Sequence, residues 1–366
     1  MSKAADLART ASASETALSN RNIIINGDYT IAQRGTSFTS QTGVAYHLDR
    51  WEMYGFNMGD GVYRVDQSTD APAGFSNSNK VSCTTADASQ DANNQMFFQQ
   101  MIEGLNSSHI NYFVSSPDTV TLSFWVKSNR TGSYSLALKL SDNGSAQDNT
   151  STRIYNSTYS VSVANTWENK TITIVLDTNS DTKVVTNGFA MAVQFWLGGG
   201  TNRDGSAANS WIANGNAATA SDNLDILGST SNDWYITGVQ LEVGTVATPF
   251  EHRSYGQELA LCQRYYQLSE NAHAIGLSSS TIFIAQPLAV QMRASPTIGQ
   301  TGVFNCQNGS NINTSQSSTG LGSSYSTTRE IYLHGVPNFS GLTAKEPYIC
   351  PVPQNNSNRL TADAEL

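Results

Sequence analysis

The sequence predicts an all-β protein, with a jelly-roll β-sandwich followed by one short helix and a second, smaller β domain. Only 13% of its 366 residues are charged, against roughly 25% in an average globular protein, and Asn, Ser, Thr and Gly fill the difference. Short stretches that alternate apolar and polar residues recur between clusters of Gly, Asn, Asp and Ser, which is typical of sandwiches and jelly rolls. Helical spacing is clear in one segment only.

The chain divides into four predicted parts. Residues 1–21 carry Ala, Ser and Thr with few large apolar side chains, so we expect an N-terminal arm that orders on docking, or a disordered tail. Residues 22–250 form the predicted sandwich, residues 251–268 a connecting helix, and residues 269–366 a C-terminal β domain. The last part contains a low-complexity tract of Asn, Ser, Gly and Thr over 305–328.

Alternation assigns the predicted inner face of the sandwich. Side chains of a strand point alternately to its two faces, so apolar residues two apart share one face. The stretch 198–233 is long for a plain connection, which predicts a functional or disordered loop that carries Trp211. The predicted core comprises Val120, Leu122, Phe124 and Val126; Ile172, Ile174 and Leu176; Phe189, Met191, Val193, Phe195 and Leu197; and Tyr235, Val239, Leu241 and Val243.

One helix is predicted over residues 254–267. Ser254 and Gln257 form a capping-box pattern at its start. Its apolar stripe either packs on its own domain or meets copies of itself about a threefold axis. The candidate oligomer contacts are Tyr255, Leu259, Cys262 and Tyr266.

Composition argues against several classes of partner. The net charge is −9 and basic residues do not cluster, which argues against nucleic acid. No apolar stretch approaches the roughly 18 residues of a membrane span, and the N-terminus lacks the apolar core of a secretory signal, so we expect neither membrane insertion nor signal-dependent export. The cysteines show no paired spacing, so we expect reduced thiols at Cys83, Cys262, Cys306 and Cys350.

The chemistry-bearing side chains show no catalytic or metal-binding pattern. The sequence contains no glycine-rich phosphate loop, GxSxG elbow, HExxH motif or EF-hand loop. Its histidines occur singly, and its scattered carboxylates do not reveal the pair that glycoside cleavage needs. We therefore expect no enzyme activity, no cofactor and no metal, with a Ca²⁺ ion held by loop oxygens as an open alternative.

Alternation also places tryptophans on an outer sheet face. Flat rings beside amide and charged groups are what a neutral sugar needs, because its C–H face stacks on a ring while its hydroxyls bond to polar neighbours. A surface that packs against a second domain or subunit has the same features, and both interpretations stay open. The candidate carbohydrate-binding residues are Trp125, Lys127, Gln194, Trp196, Trp211 and Gln240.

Several motifs indicate a family. The segments 22–35 (NIIINGDYTIAQRG), 46–51 (YHLDRW) and 238–266 (GVQLEVGTVATPFEHRSYGQELALCQRYY) occur in that order. Together with 287–297 (PLAVQMRASPT), they resemble bacteriophage tail fibre and virion structural proteins, especially those of podoviruses that infect marine bacteria. The resemblance covers about residues 22–300 and implies a jelly roll similar to carbohydrate-binding modules, used as a building block of a fibre or appendage. It transfers no catalytic residue.

The sequence therefore predicts a phage virion structural protein, a tail fibre or appendage subunit involved in host attachment without catalysis. We expect a homotrimer, assembled in the bacterial host cytoplasm, whose N-terminal arm binds other tail or head proteins. Its exposed parts are expected to bind a host surface glycan or receptor. A structural adaptor or capsid-decorating fibre protein without receptor contact is the main alternative, and a polysaccharide depolymerase is a weaker one.

Overall fold

The computed structural model describes residues 20–366 except 88, 146–151, 180, 204–208, 214–224, 270–271, 303–304, 309–312, 317–319 and 351–358. The chain divides into two compact units, Met1–Tyr255 with Leu366, and Gly256–Glu365. The predicted arm up to residue 19 and part of the predicted loop over 198–233 lie outside the described residues. The described strands of both units pair in antiparallel sheets, which confirms the predicted all-β class.

Unit 1 is a sandwich of two sheets. The six-stranded sheet has the order β1-β4-β5-β13-β7-β10, and the seven-stranded sheet has the order β12-β9-β8-β11-β6-β3-β2. A short helix, α1 (Gly104–Ser107), follows β6, and a 3-10 turn (Ile226–Gly228) precedes β13. The strands are β1 (Ser37–Gln41), β2 (Ala45–Tyr46), β3 (Glu52–Phe56), β4 (Val62–Ser68), β5 (Ser78–Thr85), β6 (Gln95–Glu103), β7 (Thr119–Ser128), β8 (Gly132–Ser141), β9 (Thr152–Val161), β10 (Glu168–Val175), β11 (Phe189–Gly199), β12 (Ser210–Ala213) and β13 (Asp233–Val243).

One apolar core fills the space between these two sheets. Phe124 of β7 meets Phe195 of β11 edge to face, with ring centroids 5.0 Å apart. The predicted inner faces of both strands are confirmed over Val120–Val126 and over Met191–Leu197, since their alternate side chains are buried in this core. The regular period of two is what allowed the sequence to predict these strands.

A β-bulge around Gly238 changes the phase of β13. Before the bulge, Trp234 and Ile236 point into the core, and after it Leu241 does. The extra residue of a bulge turns the side chains that follow it to the opposite face. The prediction that Tyr235 belongs to the core is therefore wrong, and its ring lies on the outer face of the six-stranded sheet.

Two other predicted core residues also lie outside the main core. Val243, at the end of β13, is exposed. A register irregularity separates Phe189 from Met191, and Phe189 packs instead with Met101 and Ala192. Both departures occur at strand ends, where alternation is a poor guide to the face that a side chain takes.

Unit 2 holds a second core between its own sheets. A three-stranded sheet has the order β14-β23-β17, and a seven-stranded sheet has the order β19-β18-β22-β15-β16-β21-β20. Helix α2 (Tyr255–Gln263) precedes the strands β14 (Tyr266–Ser269), β15 (Ala272–Gly276), β16 (Ile282–Pro287), β17 (Thr297–Thr301), β18 (Asn305–Gln307), β19 (Asn313–Ser315), β20 (Ser323–Ser324), β21 (Glu330–Val336), β22 (Pro347–Cys350) and β23 (Arg359–Asp363).

Helix α2 is shorter than the sequence predicted. It ends at Gln263, and Tyr266 already belongs to β14, where it lies opposite Asp363 of β23. Cys262 and Tyr266 are buried, whereas Tyr255 is exposed. The four candidate oligomer contacts therefore do not form one exposed helical stripe, because strand pairing takes the last of them.

A disulfide joins Cys306 of β18 to Cys350 of β22, with Cα atoms 4.6 Å apart. The prediction of four reduced cysteines is therefore wrong for this pair. The two residues are 44 positions apart in sequence, and the pairing of β18 with β22 brings them together. Cys83 and Cys262 are buried thiols.

The buried ring of His47 makes unit 1 sensitive to acid. Burial, with repulsion from Arg34, lowers the pKa of His47 to about 4. The unfolded chain takes up a proton on this histidine near pH 6.5. The contribution of neutral His47 to stability is therefore fully present above that pH and is lost as the pH falls toward 4. We expect the contribution of His47 to the free energy of unfolding to fall by about 3 kcal/mol across this window, measured by urea denaturation as the difference between the wild type and His47→Gln.

Two histidine variants distinguish the acid sensitivity caused by His47 from that caused by other groups of the protein. His47→Gln should remove most of the loss between pH 6.5 and 4, whereas the exposed His109→Gln should leave it unchanged. Equal acid sensitivity in the wild type and His47→Gln would contradict the assignment.

Candidate functional site

The six candidate carbohydrate-binding residues lie at three places on unit 1 rather than at one. Two of them share an aromatic surface, two lie in separate buried polar networks, and two are tryptophans of the seven-stranded sheet. By location they are Trp125, Lys127 and Gln240 on the six-stranded sheet, Gln194 and Trp196 on the outer face of the seven-stranded sheet, and Trp211 on its edge strand β12.

Aromatic rings gather on the outer face of the six-stranded sheet, and we call this surface the aromatic patch. Trp125 of β7 and Tyr235 of β13 project from neighbouring strands. The turn before β10 brings Trp167 to Tyr235, with ring centroids 6.1 Å apart. Phe75 and Phe250 extend the surface, with centroids 5.1 Å apart. The patch comprises Phe75, Trp125, Trp167, Tyr235 and Phe250.

Gly238 allows two of these rings to approach the backbone of β13. A Cβ at this position would lie 2.6 Å from Cζ of Phe75 and 3.2 Å from Cδ1 of Trp125. The residue also has a φ of 62°, which glycine adopts without strain. The first glycine of the GVQLEVG motif is therefore required both by the bulge and by the rings that cover it.

The ammonium group of Lys127 is held between the rings of the aromatic patch. It lies 4.2 Å from the ring centroid of Tyr235 and 5.3 Å from that of Trp167, and it pairs with the carboxylate of Asp70. The indole N–H of Trp167 donates to the same carboxylate at 3.1 Å. The bond from Lys127 lowers the pKa of Asp70. Lys127 is buried, so its role is to fix the rings by cation–π contact rather than to reach a ligand.

The aromatic patch is open enough to accept a flat apolar ligand surface. Four of its five rings are half-buried, and Tyr235 is the buried one. Exposed polar groups stand at its margin, namely the Asp70 carboxylate and the imidazole of His252, whose ring centroid is 4.9 Å from that of Phe250. Ring faces with hydrogen-bonding groups beside them suit the C–H face and hydroxyls of a sugar.

A second aromatic group on the seven-stranded sheet buries its tryptophan. Tyr54 stacks on Phe97 with centroids 4.6 Å apart, and Phe97 meets Trp196 at 4.7 Å. Trp196 lies on the outer face, as alternation predicts, but only 1% of its surface is exposed. The prediction of an exposed ring is wrong because Phe97, Ile154 and other apolar neighbours cover it.

Gln194 is also unavailable, because it belongs to a chain of buried polar groups. Its Nε2 donates to Oε1 of Gln99 at 2.9 Å, and Nε2 of Gln99 donates to Oε2 of Glu52 at 2.5 Å. Burial raises the pKa of Glu52, and the bond from Gln99 opposes this shift. These hydrogen bonds link β11, β6 and β3 on the outer face of their sheet.

Trp211 closes one edge of the sandwich. It is half-buried, and its indole N–H donates to the backbone oxygen of Val175 at 2.8 Å. Its ring lies 5.4 Å from that of Tyr155 and packs against the main core. The edge strand β12 thus contacts the end of β10 in the other sheet, which is a structural role.

The sequence motifs that lie 200 residues apart are bonded to each other, and we call this network the clasp. Oδ1 of Asn22 accepts the backbone N–H groups of Ile24 and Leu241, at 3.0 and 3.1 Å, and its Nδ2 donates to the oxygen of Val239 at 3.2 Å. The Glu251 carboxylate accepts the backbone N–H of Asn22 at 2.8 Å. The N-terminal motif is thereby fixed to β13 and to the segment that follows it.

Gln240 lies at the centre of the clasp and is fully buried. Its Nε2 donates to Oε1 of Glu242 at 2.9 Å, and its Oε1 accepts the N–H of Glu251 at 2.8 Å. Glu242 in turn accepts the N–H and the hydroxyl of Thr248 at 2.8 and 2.7 Å. The prediction that Gln240 points to a ligand is wrong, because the segment after β13 folds back over it.

The described residues also bear on metal and membrane sites. Over the described ranges, no three His, Cys, Asp or Glu side chains come together as a metal site. In that same part of the chain, no helix is both long and apolar enough to span a membrane.

Sequence reasoning named Trp125 but missed the other four rings of the patch. Phe75 and Trp167 lie outside the strands, where alternation gives no signal, and Tyr235 was assigned to the core because the bulge is invisible in the pattern. Phe250 lies in the TPFEHR motif, which is the one signal that could have drawn attention to it.

Comparison with known proteins gives no family. No family model and no curated protein matches the sequence. Among solved structures, the chain is similar to the enzymatically active domain of tailspike protein 4 of bacteriophage CBA120, at 13% identity and a TM-score of 0.30, over 62% of this chain but only 22% of that one. A putative sugar-binding protein from Bacteroides thetaiotaomicron matches at 12% identity and a TM-score of 0.32, over 61% of this chain and 100% of that one.

A carbohydrate-binding module of family 4 matches at 16% identity and a TM-score of 0.29, over 60% of this chain and 98% of that one.

Proposed function

We propose that this chain is a non-catalytic carbohydrate-binding subunit of a phage tail fibre or appendage, and that the aromatic patch makes the sugar contact. The observation that carries the proposal is the pair of half-buried tryptophans, Trp125 and Trp167, on one face of a regular sheet. Each presents ring surface to solvent while its position is fixed by buried neighbours. Rigid aromatic rings bind at low entropic cost, which favours a stacking platform.

The arrangement around the rings supports recognition of neutral sugar. Two ammonium groups lie at the Tyr235 ring, and both are already paired: Lys127 contacts Asp70 and the ring faces, and Lys80, 4.9 Å from the ring centroid of Tyr235, pairs with Asp233 at 3.5 Å. Both cations are therefore engaged within the protein rather than placed to bind an acidic ligand. The polar groups that reach solvent stand at the margin, where sugar hydroxyls of a stacked ring would lie. The virion assignment rests on the sequence motifs, and the clasp gives those motifs a structural role in holding the sandwich together.

The disulfide of unit 2 also agrees with this role. Disulfides persist in oxidising surroundings and are rare in a reducing cytoplasm. A protein that is assembled in the host cell and then acts outside it meets such surroundings during its working life.

The proposal predicts that Trp125→Ala and Trp167→Ala each weaken binding of the full-length protein to host surface polysaccharide about tenfold or more. The reason is that each variant removes one of the two tryptophan rings on which the sugar would stack. Binding is measured by biolayer interferometry on immobilised polysaccharide and by sedimentation with intact host cells. The matched control is Phe56→Ala, which removes an exposed ring from the other sheet of the same unit.

Unchanged binding by both tryptophan variants would overturn the assignment of the patch. Absence of binding by the wild type would favour the structural adaptor without receptor contact. New reducing ends in the polysaccharide after incubation would contradict the non-catalytic role and support a depolymerase.

A further inference from the structure

The outer face of the seven-stranded sheet in unit 2 carries exposed apolar side chains. Buried residues alternate with residues that reach solvent throughout β22 and β15, over Ile282–Ala285 of β16 and over Glu330–His334 of β21. The solvent side of an antiparallel sheet is normally polar. Here it carries Ile275 and Ile349, whose side chains are 48% and 47% exposed.

Strand register arranges this face as a grid of two rows across four strands, and we call it the grid face. Each row runs from β22 through β15 and β16 to β21, as the residue pairs of the three strand pairings show. The first row is Pro347, Ile275, Phe283 and His334, and the second is Ile349, His273, Ala285 and Tyr332.

None of these eight side chains carries a formal charge at neutral pH, with histidine counted as neutral, although the whole chain has a net charge of −9. Two copies of so acidic a chain repel each other over most of their surfaces, within the Debye length of about 8 Å at physiological salt. The carboxylate of Glu330 accepts the hydroxyl hydrogen of Tyr332 beside the second row, so it is over the eight residues of the grid face that two copies can meet without opposing like charges. An exposed apolar surface of this kind marks an interaction site.

The grid face is also complementary to itself. Its β22 and β15 side carries three aliphatic side chains, Pro347, Ile275 and Ile349, beside His273. Its β16 and β21 side carries Phe283 and Tyr332, stacked at 6.3 Å, beside Ala285 and His334. A twofold axis parallel to the strands, between β15 and β16, places the aliphatic side of one copy on the aromatic side of the other. Such an isologous contact closes after two copies.

We propose that two copies of this chain pair face to face through the grid face. Strands about 4.8 Å apart and same-face neighbours about 7 Å apart make the grid about 19 Å by 14 Å. With its rim, a pair buries roughly 600 to 800 Å², which is below the size of a standard stable interface, and we therefore expect a weak, transient association. This pairing goes beyond the carbohydrate contact and does not involve the aromatic patch.

Sedimentation equilibrium of the full-length protein between about 1 and 100 µM tests the pairing. We expect a monomer–dimer equilibrium that Ile275→Asp weakens at least tenfold, because a carboxylate would be buried against the aromatic side of the partner. Val175→Asp is the matched control, since Val175 is an exposed valine on an edge strand of unit 1. Circular dichroism and the unfolding temperature establish that both variants fold.

A second measurement tests the proposed axis. An equimolar mixture of Ile275→Cys and Phe283→Cys proteins should form a disulfide-linked pair under mild oxidation, whereas Val175→Cys protein should not. A single-chain mass at 100 µM, a trimer, or equal association of Ile275→Asp and the wild type would overturn the proposal. So would a monomeric wild type whose polysaccharide binding is lost in Ile275→Asp, which would assign the grid face to sugar.

Discussion

Asn22→Ala is expected to lower the free energy of unfolding of unit 1 by about 3 to 5 kcal/mol. Asn22 is buried, and its amide bonds to three backbone groups, the N–H of Ile24, the N–H of Leu241 and the oxygen of Val239. Alanine removes all three bonds at once. Each buried backbone group left without a partner costs about 1 to 3 kcal/mol, and water has little access to repair the loss.

Urea unfolding followed by tryptophan fluorescence measures this effect cleanly. All six tryptophans lie at or before residue 234, so the fluorescence reports on unit 1 alone. Asn169→Ala is the matched control, because Asn169 is an exposed asparagine on β10 whose side chain donates one bond of 3.4 Å. It should change stability by less than about 0.5 kcal/mol.

A conservative variant separates the bonds of Asn22 from its volume. Asn22→Asp keeps an acceptor for the two N–H groups but loses the donor to Val239. Its free energy of unfolding should therefore lie between those of the wild type and Asn22→Ala. If Asn22→Ala lost no more stability than Asn169→Ala, the clasp would not hold the N-terminal motif to β13, and the structural explanation of the motifs would fail.

Removal of the disulfide is expected to destabilise unit 2 by about 4 kcal/mol, on the chain-entropy estimate for a loop of 44 residues. The bond restricts the unfolded chain by joining β18 to β22. The expected loss applies to the double variant Cys306→Ala and Cys350→Ala and to the wild type in reducing buffer. Both cysteines are fully buried, so the variant also loses some packing in the core of unit 2.

Hydrogen exchange resolved by segment measures this loss, since unit 2 has no tryptophan. Protection over β15, β16, β21 and β22 should fall, while the tryptophan fluorescence transition of unit 1 should stay at the same urea concentration. Cys83→Ser is the matched control, because Cys83 is a buried thiol of unit 1. Equal protection in oxidised and reduced protein would show that the bond adds nothing to the stability of unit 2.

The two proposals for function rest on different surfaces and can fail separately. The aromatic patch of unit 1 is tested by binding of polysaccharide, and the grid face of unit 2 by the mass of the protein in solution. Trp125→Ala should leave the mass unchanged, and Ile275→Asp should leave polysaccharide binding unchanged when a single copy is measured. The homotrimer expected from the resemblance remains a prediction, and the twofold grid face is an alternative to it.

The sequence by itself determined the class of fold and the strands with an uninterrupted period of two. In β7, Val120, Leu122, Phe124 and Val126 face the core as predicted, since burial of one face imposes that period. The sequence also determined that Trp125 and Trp196 lie on outer faces, because the same period of two applies to both faces of a strand.

Only the tertiary structure decided which outer residues reach solvent and which distant segments bond. Trp196 is covered by side chains from other strands, Gln240 by the segment that folds back after β13, and Cys306 meets Cys350 through strand pairing. The bulge at Gly238 moved Tyr235 from the predicted core into the aromatic patch. Local alternation specifies the face of a side chain, but exposure and partnership depend on contacts between residues far apart in sequence, and those contacts exist only in the folded chain.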